Sequence, residues 1–146
     1  MNARPYRHAD LDKCVGLFIH VFNAEPWNDN WLRNDAAQYL NAYVRSPGFI
    51  GIVAEDGSEI KGFVFGIRKK WWSGDECFVQ EMCVRQEAQR SGIGTKLLKE
   101  LERAPRNEGI ARITLLTSRG IPAEAFYRKN GFKGIDGLIF MNKSIR

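Results

Sequence analysis

The chain has 146 residues, of which 22 are Lys or Arg, 17 are Asp or Glu and 44% are hydrophobic, for a formal net charge of +5. This length and composition predict one folded domain spanning residues 1–146 and exclude an intrinsically disordered chain. No apolar run approaches the roughly 20 residues of a membrane-spanning helix, and the N-terminus lacks the apolar stretch of a secretory signal. We therefore expect a cytoplasmic protein with no membrane partner.

The cysteines and histidines show no pattern of a metal site. The three cysteines are odd in number and form no C-x-x-C pair, and the two histidines lie in no H-E-x-x-H arrangement. We therefore expect no metal and no disulfide framework, and interpret the cysteines as reduced core residues.

The first third of the chain is predicted to contain a strand and two helices. Ala3–Tyr6 is typical of a short strand, Asp10 can cap a helix, and Pro26 breaks the helical pattern before a second helix over about Trp31–Tyr43. Apolar residues of the first helix recur at spacings of four, three and four, which places them on one face: Leu11, Val15, Phe18 and Phe22.

From Phe49 onwards the pattern changes to that of strands. Phe49–Ala54 and Ile60–Ile67 flank the turn residues 55–58 and predict a β-hairpin. Cys77–Val84 is predicted to be a buried strand that carries one carboxylate, Glu81.

The second half alternates strands and helices. A leucine-rich amphipathic helix follows the glycines at 92 and 94, and Ile113–Thr117 is the next predicted strand. Pro122 can begin a helix that ends near Asn130, and Leu138–Met141 is predicted to be a final strand. These elements indicate an α/β protein with a mixed central sheet.

The segment Gln89–Gly94 has the features of an anion-binding loop. Glycines allow the backbone to approach a ligand, and the start of a helix presents unpaired N–H groups to it. Leu97 replaces the third glycine of a dinucleotide fingerprint, and Gly94-Thr95-Lys96 is not the G-K-[ST] of a P-loop. Two interpretations of this loop stay open. It binds a phosphate-bearing ligand of another class, or it forms only a tight turn between a strand and a helix.

Two motifs resemble those of the GNAT superfamily of N-acetyltransferases. Gln89–Gly94 matches the pyrophosphate signature Q/R-x-x-G-x-G/A, and Ala123–Phe132 matches A-x-x-F-Y-x-K-x-G-F of the last helix. Residues 3–11 are similar to the family's first strand and helix entry. The resemblance implies a mixed, mostly antiparallel sheet with splayed fourth and fifth strands, flanked by about four helices.

The resemblance also implies a site for acetyl-CoA. Backbone groups of Met82, Cys83 and Val84 would meet the pantetheine arm, and Tyr127 would lie at the thioester. Many members carry an Asn before the last helix, where this chain has Arg119–Pro122, and Arg119 could instead meet a phosphate. The residues expected at the pyrophosphate are Gln89, Arg90, Ser91, Gly92, Ile93, Gly94 and Thr95.

Three groups are candidates for the chemistry of acetyl transfer. By resemblance, the backbone N–H of Cys83 stabilises the oxyanion and Tyr127 is the general acid that protonates the coenzyme sulfur. Glu81 is the candidate base, since an interior carboxylate is costly unless solvated or paired, and strand alternation places it opposite Met82. A salt bridge for Glu81, core packing for Tyr127 and a nucleophilic role for Cys83 are the alternatives.

Two loops combine aromatic residues with carboxylates and are predicted to bind the acceptor. They contain Glu25 and Trp27 in one case and Trp71 and Trp72 in the other. Such a combination suits a cationic amine on a small molecule or peptide, with an aminoglycoside as one option. Ordinary packing or a dimer contact is the alternative for each Trp, so a homodimer stays open.

Two other functions are weighed against acetyl transfer. The basic run Arg68–Lys70 followed by two tryptophans could stack nucleic-acid bases, but no recognition motif accompanies it, and we expect no nucleic-acid partner. A non-catalytic acyl-CoA-binding domain is the second alternative, against which the presence of Tyr127 and Glu81 argues.

Overall fold

The computed structural model describes residues 1–146. The chain forms two compact units, residues 1–116 and residues 117–146, and each is described by itself. The first unit contains the sheet and three of the four helices, and the second contains the last helix.

The sheet of the first unit has five strands in the order of the sequence. The first four pair antiparallel, and the fourth and fifth pair parallel, which confirms the predicted mixed sheet. The strands are β1 (Asn2–Pro5), β2 (Phe49–Asp56), β3 (Glu59–Lys69), β4 (Glu76–Val84) and β5 (Arg112–Leu115).

The helices are α1 (Leu11–Phe22), α2 (Arg33–Val44), α3 (Ile93–Arg103) and α4 (Pro122–Lys129). Helix α2 begins two residues later than predicted from Trp31. The Asn23 side chain accepts a hydrogen bond from the Trp31 N–H (2.9 Å) and donates one to the Trp31 carbonyl (3.1 Å). These two bonds hold Trp31 in the loop and delay the helix.

The helices divide the buried residues of the sheet between two faces. On the face that we call the aromatic face, α1 and α2 cover Val53, Phe63, Phe65 and Cys83. On the opposite, aliphatic face, α3 contributes Ile93, Leu97 and Leu101, which pack on Ile50, Ile52, Val64, Cys77 and Val79.

A bulge in β4 changes which face its side chains reach. Phe65 pairs with Glu81 whereas the next residue of β3, Gly66, pairs with Val79, so Gln80 is the extra residue. Val79 therefore packs on the aliphatic face, and Glu81 lies on the aromatic face, where it contacts α2. Met82 packs against the aliphatic face, so the predicted opposition of Glu81 and Met82 is confirmed.

The second unit has α4 as its only helix and no strand. The prediction of a strand over Leu138–Met141 is wrong for this structure, where these residues have no regular structure and are 74–80% exposed. A strand needs a neighbour for its backbone hydrogen bonds, and this unit offers no other strand.

Two further features concern possible functions. None of the helices combines the length and apolar character that crossing a bilayer requires. No group of three or more His, Cys, Asp or Glu side chains is arranged to hold a metal ion.

Candidate active site

Glu81 is a half-buried carboxylate in the second half of β4. Its Oε2 accepts a hydrogen bond of 2.6 Å from the phenol of Tyr39 on α2. Oε1 accepts no hydrogen bond from the protein and is not among the buried unpartnered atoms, so solvent reaches it. No Arg or Lys lies within ion-pair distance of Glu81. The alternative of a salt bridge is therefore wrong, and the partner of Glu81 is the Tyr39 phenol.

The surroundings of Glu81 shift its pKa towards neutral pH. Burial is the largest effect and raises the pKa of Glu81 to about 7, since desolvation disfavours the charged form. The hydrogen bond from Tyr39 opposes this rise, and the negative charge of Asp29 adds to it. A carboxylate with such a pKa can accept a proton near pH 7.

Aromatic rings form a wall beside Glu81. The Tyr39 ring lies 5.1 Å from the Trp31 ring and 5.6 Å from the Phe18 ring, measured between centroids. Trp27 packs on Phe22 with a centroid distance of 4.8 Å, so this predicted acceptor residue belongs to the same aromatic region. Stacked and edge-on rings of this kind can hold a cation above their faces.

The loop between α1 and α2 adds charge to this wall. The indole N–H of Trp31 donates a hydrogen bond of 3.1 Å to Asp29 Oδ2. Glu25 lies at the exposed start of the loop, and its carbonyl accepts a hydrogen bond of 3.2 Å from the Gln86 side chain. That contact ties the predicted acceptor loop to the segment that follows β4.

Sequence reasoning missed Tyr39 and Trp31 as site residues. Tyr39 is 42 positions from Glu81 along the chain, and on α2 it is one of two tyrosines spaced four apart, a spacing that carries no signal of a site. Asp29 was inside the predicted acceptor loop, but nothing in its neighbourhood indicated that it would influence Glu81.

Trp71 and Trp72 do not lie with this group. They belong to the turn between β3 and β4, where Lys69 pairs with Glu76. Glu76 is five residues from Glu81 along β4, about 16 Å at the usual strand rise. Trp72 is 89% exposed, and both tryptophans line an open depression at that end of the sheet.

The outer edge of β4 is paired with β5 over only part of its length. Pairing with β5 ends at Val79–Leu115, while β4 continues to Val84. The backbone beyond Val79 therefore has no β5 neighbour. The Arg85 N–H donates to the Lys61 carbonyl of β3, and by the alternation of an antiparallel pair Cys83 also turns its N–H and C=O towards β3. Met82 and Val84 turn their N–H groups to the outer edge. Free N–H and C=O groups on a strand edge can bind an extended chain such as pantetheine.

The Cys83 side chain is unsuited to nucleophilic chemistry. It is 2% exposed, and its Sγ lies 3.9 Å from the Leu17 carbonyl in the aromatic face. Burial raises the pKa of this thiol well above its usual value, so no thiolate forms near neutral pH. The predicted role of the Cys83 backbone N–H at the oxyanion is wrong for this structure, because that N–H faces β3.

The loop after β4 fits the pyrophosphate of a coenzyme. Arg90 and Gly92 have positive φ angles of 69° and 85°, and α3 begins directly after them at Ile93. Such left-handed residues before a helix start can turn successive N–H groups towards one anion. A Cβ added at Gly92 would meet no atom within 4 Å, so the space above this residue is open.

Side chains of the same loop hold its shape. The Gln89 amide donates a hydrogen bond of 3.2 Å to the Val84 carbonyl, and the Ser91 hydroxyl donates to the Ala88 carbonyl. Gly94 and Thr95 lie in the first turn of α3, whose N–H groups have no partner within the helix. The loop and the free edge of β4 together fit acetyl-CoA.

Tyr127 lies on α4 in the second unit. Its ring is 5.3 Å from the Phe126 ring and 5.6 Å from the Phe132 ring, between centroids. The Phe132 N–H donates to the Tyr127 carbonyl, which closes the helix. Its role as the general acid stays a prediction.

Comparisons with known proteins agree with this geometry. The model of the acetyltransferase (GNAT) domain family matches residues 47–134, which is more than half of the chain. A comparison with curated protein sequences found no match.

Three solved structures illustrate the similarity. An aminoglycoside 6'-N-acetyltransferase from Acinetobacter haemolyticus has a TM-score of 0.77 and 16% identity, with 100% of both chains covered. An aminoglycoside N-acetyltransferase in complex with CoA has the same score and identity, covering 97% of this chain and 93% of that one. A transcriptional regulator from Bacillus halodurans has a TM-score of 0.77 and 19% identity, covering 97% and 99%. At these identities the neighbours show the fold alone, and the predicted fold is confirmed.

Proposed function

The chain belongs to the GNAT family of acetyltransferases, and we propose that it transfers the acetyl group of acetyl-CoA directly to the primary amine of a cationic small molecule or peptide. As a member of this family it is an N-acetyltransferase that uses acetyl-CoA. The observation that carries the proposed acceptor class is Glu81, a carboxylate with a pKa of about 7 beside an aromatic wall.

Glu81 is the proposed base. An amine acceptor is mostly protonated near neutral pH, and only its neutral form attacks a thioester. Glu81 Oε1, which solvent reaches, takes the proton from the acceptor directly or through one water. The neutral nitrogen then forms the C–N bond.

The remaining steps use groups of the backbone and of α4. The N–H of Met82, which faces the outer edge of β4, stabilises the negative charge on the carbonyl oxygen as the nitrogen adds. The C–S bond then breaks, and Tyr127 gives its proton to the leaving sulfur. As the intermediate collapses, the nitrogen loses its second proton, which passes through water to the Tyr127 phenolate and restores the phenol. The products are the acetamide and free coenzyme A, and the proton held by Glu81 returns to solvent.

Recognition of the acceptor rests on the region around Trp27 and Trp31. Aromatic faces and the Asp29 carboxylate attract a cation, although the whole chain is positively charged. The exposed Glu25 adds a second negative charge at the loop entrance. Trp71 and Trp72 would contact only an acceptor that extends about 16 Å from Glu81.

A panel of amines tests this proposal. The protein is incubated with acetyl-CoA and, separately, with aminoglycosides, polyamines, amino acids and short peptides, while free thiol and product mass are followed. We expect thiol release together with the mass gain of one acetyl group for one cationic class. If acetyl-CoA raises the melting temperature but no cationic amine is acetylated, the proposed acceptor class is wrong.

A further inference from the structure

Tyr39 is held rigidly in the middle of α2. Its ring has three aromatic neighbours, with centroid distances of 5.6 Å to Phe18, 5.1 Å to Trp31 and 5.1 Å to Tyr43. A ring surrounded in this way has little rotational freedom. The position of its hydroxyl is therefore set by the packing of α1 against α2.

This hydroxyl is the one protein group that donates a hydrogen bond to Glu81. The distance of 2.6 Å from Tyr39 Oη to Glu81 Oε2 is typical of a strong bond to a carboxylate. Burial raises the pKa of the Tyr39 phenol well above its usual value, and the charge of Glu81 raises it further. The phenol therefore keeps its proton over the pH range in which Glu81 titrates, and it donates to Oε2 whenever Glu81 is ionised.

The other ionisable groups around Glu81 do not duplicate this contact. Asp29 from the loop before α2 is negatively charged and opposes the ionisation of Glu81. Cys83, two residues along β4, is buried as a neutral thiol. Tyr43, one turn further along α2, packs on Tyr39 and forms no hydrogen bond with Glu81. No cation is paired with the carboxylate, so Tyr39 has no substitute.

We propose that Tyr39 is the positioning residue of the active site, because its phenol holds Oε2 of Glu81 and leaves Oε1 to take the proton of the acceptor. This inference rests on the proposed role of Glu81 as the base. Tyr39 acts through Glu81 and needs no contact with either substrate.

The hydrogen bond also has a consequence for pH dependence. A donor to the ionised form favours that form, so the bond from Tyr39 lowers the pKa of Glu81 from the value that burial alone would produce. Removal of the hydroxyl should raise the pKa of Glu81. The base would then become active only at higher pH.

The variant Tyr39→Phe tests this, because it keeps the packed ring and removes only the hydroxyl. We expect kcat/KM at about pH 6 to fall about tenfold, with a smaller loss at about pH 9, so that the acid limb of the profile moves to higher pH. The KM for acetyl-CoA should not change. A uniform loss at all pH values would mean that Tyr39 has only a structural role, and would overturn the proposal.

Tyr6→Phe is the matched control. The Tyr6 ring packs in the same aromatic face, 5.3 Å from Phe65, and its buried hydroxyl has no hydrogen-bond partner. This variant loses a phenol oxygen from the same core without touching Glu81. Its pH profile should equal that of the wild type.

An NMR titration separates this inference from the proposed function. The Glu side-chain carboxyl carbons are labelled with ¹³C, the Glu81 resonance is assigned from its loss in Glu81→Gln, and its pKa is measured without any acceptor. A higher pKa in Tyr39→Phe than in the wild type supports the positioning role even if no amine in the panel is acetylated. An equal or lower pKa overturns it, whatever the activity of the enzyme.

Discussion

The two faces of the sheet differ in what they bury. The aromatic face, under α1 and α2, contains Phe18, Phe63 and Phe65 and adjoins the polar pair of Tyr39 and Glu81. The aliphatic face, under α3, consists of Ile, Leu, Val, Ala, Cys and Met side chains and has no aromatic ring. Aromatic rings with polar edges can border a carboxylate and a cation, whereas aliphatic side chains can only exclude water.

This difference suggests a division of work within the first unit. The aliphatic face anchors α3 and so fixes the start of that helix and the loop Gln89–Gly94, where we place the coenzyme pyrophosphate. The aromatic face contains the proposed base and the aromatic wall that we propose binds the acceptor. Substitutions on the aromatic face should therefore change the activity and its pH dependence, whereas substitutions on the aliphatic face should change stability. Three substitutions, one of them in the coenzyme loop, test this difference.

The largest effect is expected for Glu81→Gln on the aromatic face. Loss of a general base typically costs about 10²- to 10⁴-fold in rate, and kcat/KM should fall within that range. In the wild type, activity should rise with pH through a pKa near 7, because the base works only when ionised. The variant should lose this limb.

Binding of acetyl-CoA serves as the control for that variant. Its effect on the melting temperature should be the same in Glu81→Gln and in the wild type, since the coenzyme contacts are assigned to the β4 edge and the following loop. Equal activity of the two proteins at all pH values would remove Glu81 from the mechanism.

A loss of stability without a change in chemistry is expected for Leu97→Ala on the aliphatic face. Leu97 is fully buried, so its truncation should lower the free energy of unfolding by about 2–5 kcal/mol, as measured by urea denaturation. Leu116→Ala, at a 64% exposed position, should change it by less than about 0.5 kcal/mol. The pH profile of kcat/KM for folded Leu97→Ala should match the wild type. A shift of its acid limb would show that the aliphatic face also influences the proposed base.

The smallest effect is expected for Gly92→Ala in the coenzyme loop. The positive φ of 85° disfavours a Cβ by about 1–2 kcal/mol, although no neighbouring atom would clash. Gly57→Ala is a matched control, since Gly57 has a φ of 63° and equally open surroundings in the β2–β3 turn. Both variants should lose similar stability, but only Gly92→Ala should bind acetyl-CoA more weakly in a calorimetric titration. Equal affinities would place the pyrophosphate elsewhere.

Elements with strong local signals were predicted well. The apolar spacing of α1, the hairpin of β2 and β3 and the strand–glycine–helix order around Gly92 all appear in the structure. The strand predicted at Leu138–Met141 failed because an apolar β-prone run becomes a strand only where another strand can pair with it. Local pattern does not contain that information.

The candidate site shows the same limit. Glu81 could be singled out by its charge within an apolar strand, and the glycine loop by its spacing. Tyr39 and Trp31 could not, because their importance lies in contacts with residues distant along the chain. Trp71 and Trp72 looked equivalent to Trp27 as aromatic loop residues, yet the register of β3 and β4 separates them from Glu81.

The sequence by itself determined the α/β class, the family resemblance and the chemical identity of the proposed base, since these depend on residue type and spacing. Only the tertiary structure decided which face Glu81 occupies and what bonds it. The bulge at Gln80 adds one residue to β4, and a single extra residue reverses the direction of every later side chain. That reversal places Glu81 on the aromatic face beside Tyr39, whereas unbroken alternation with Val79 would have directed it into the aliphatic core, where a carboxylate has no partner.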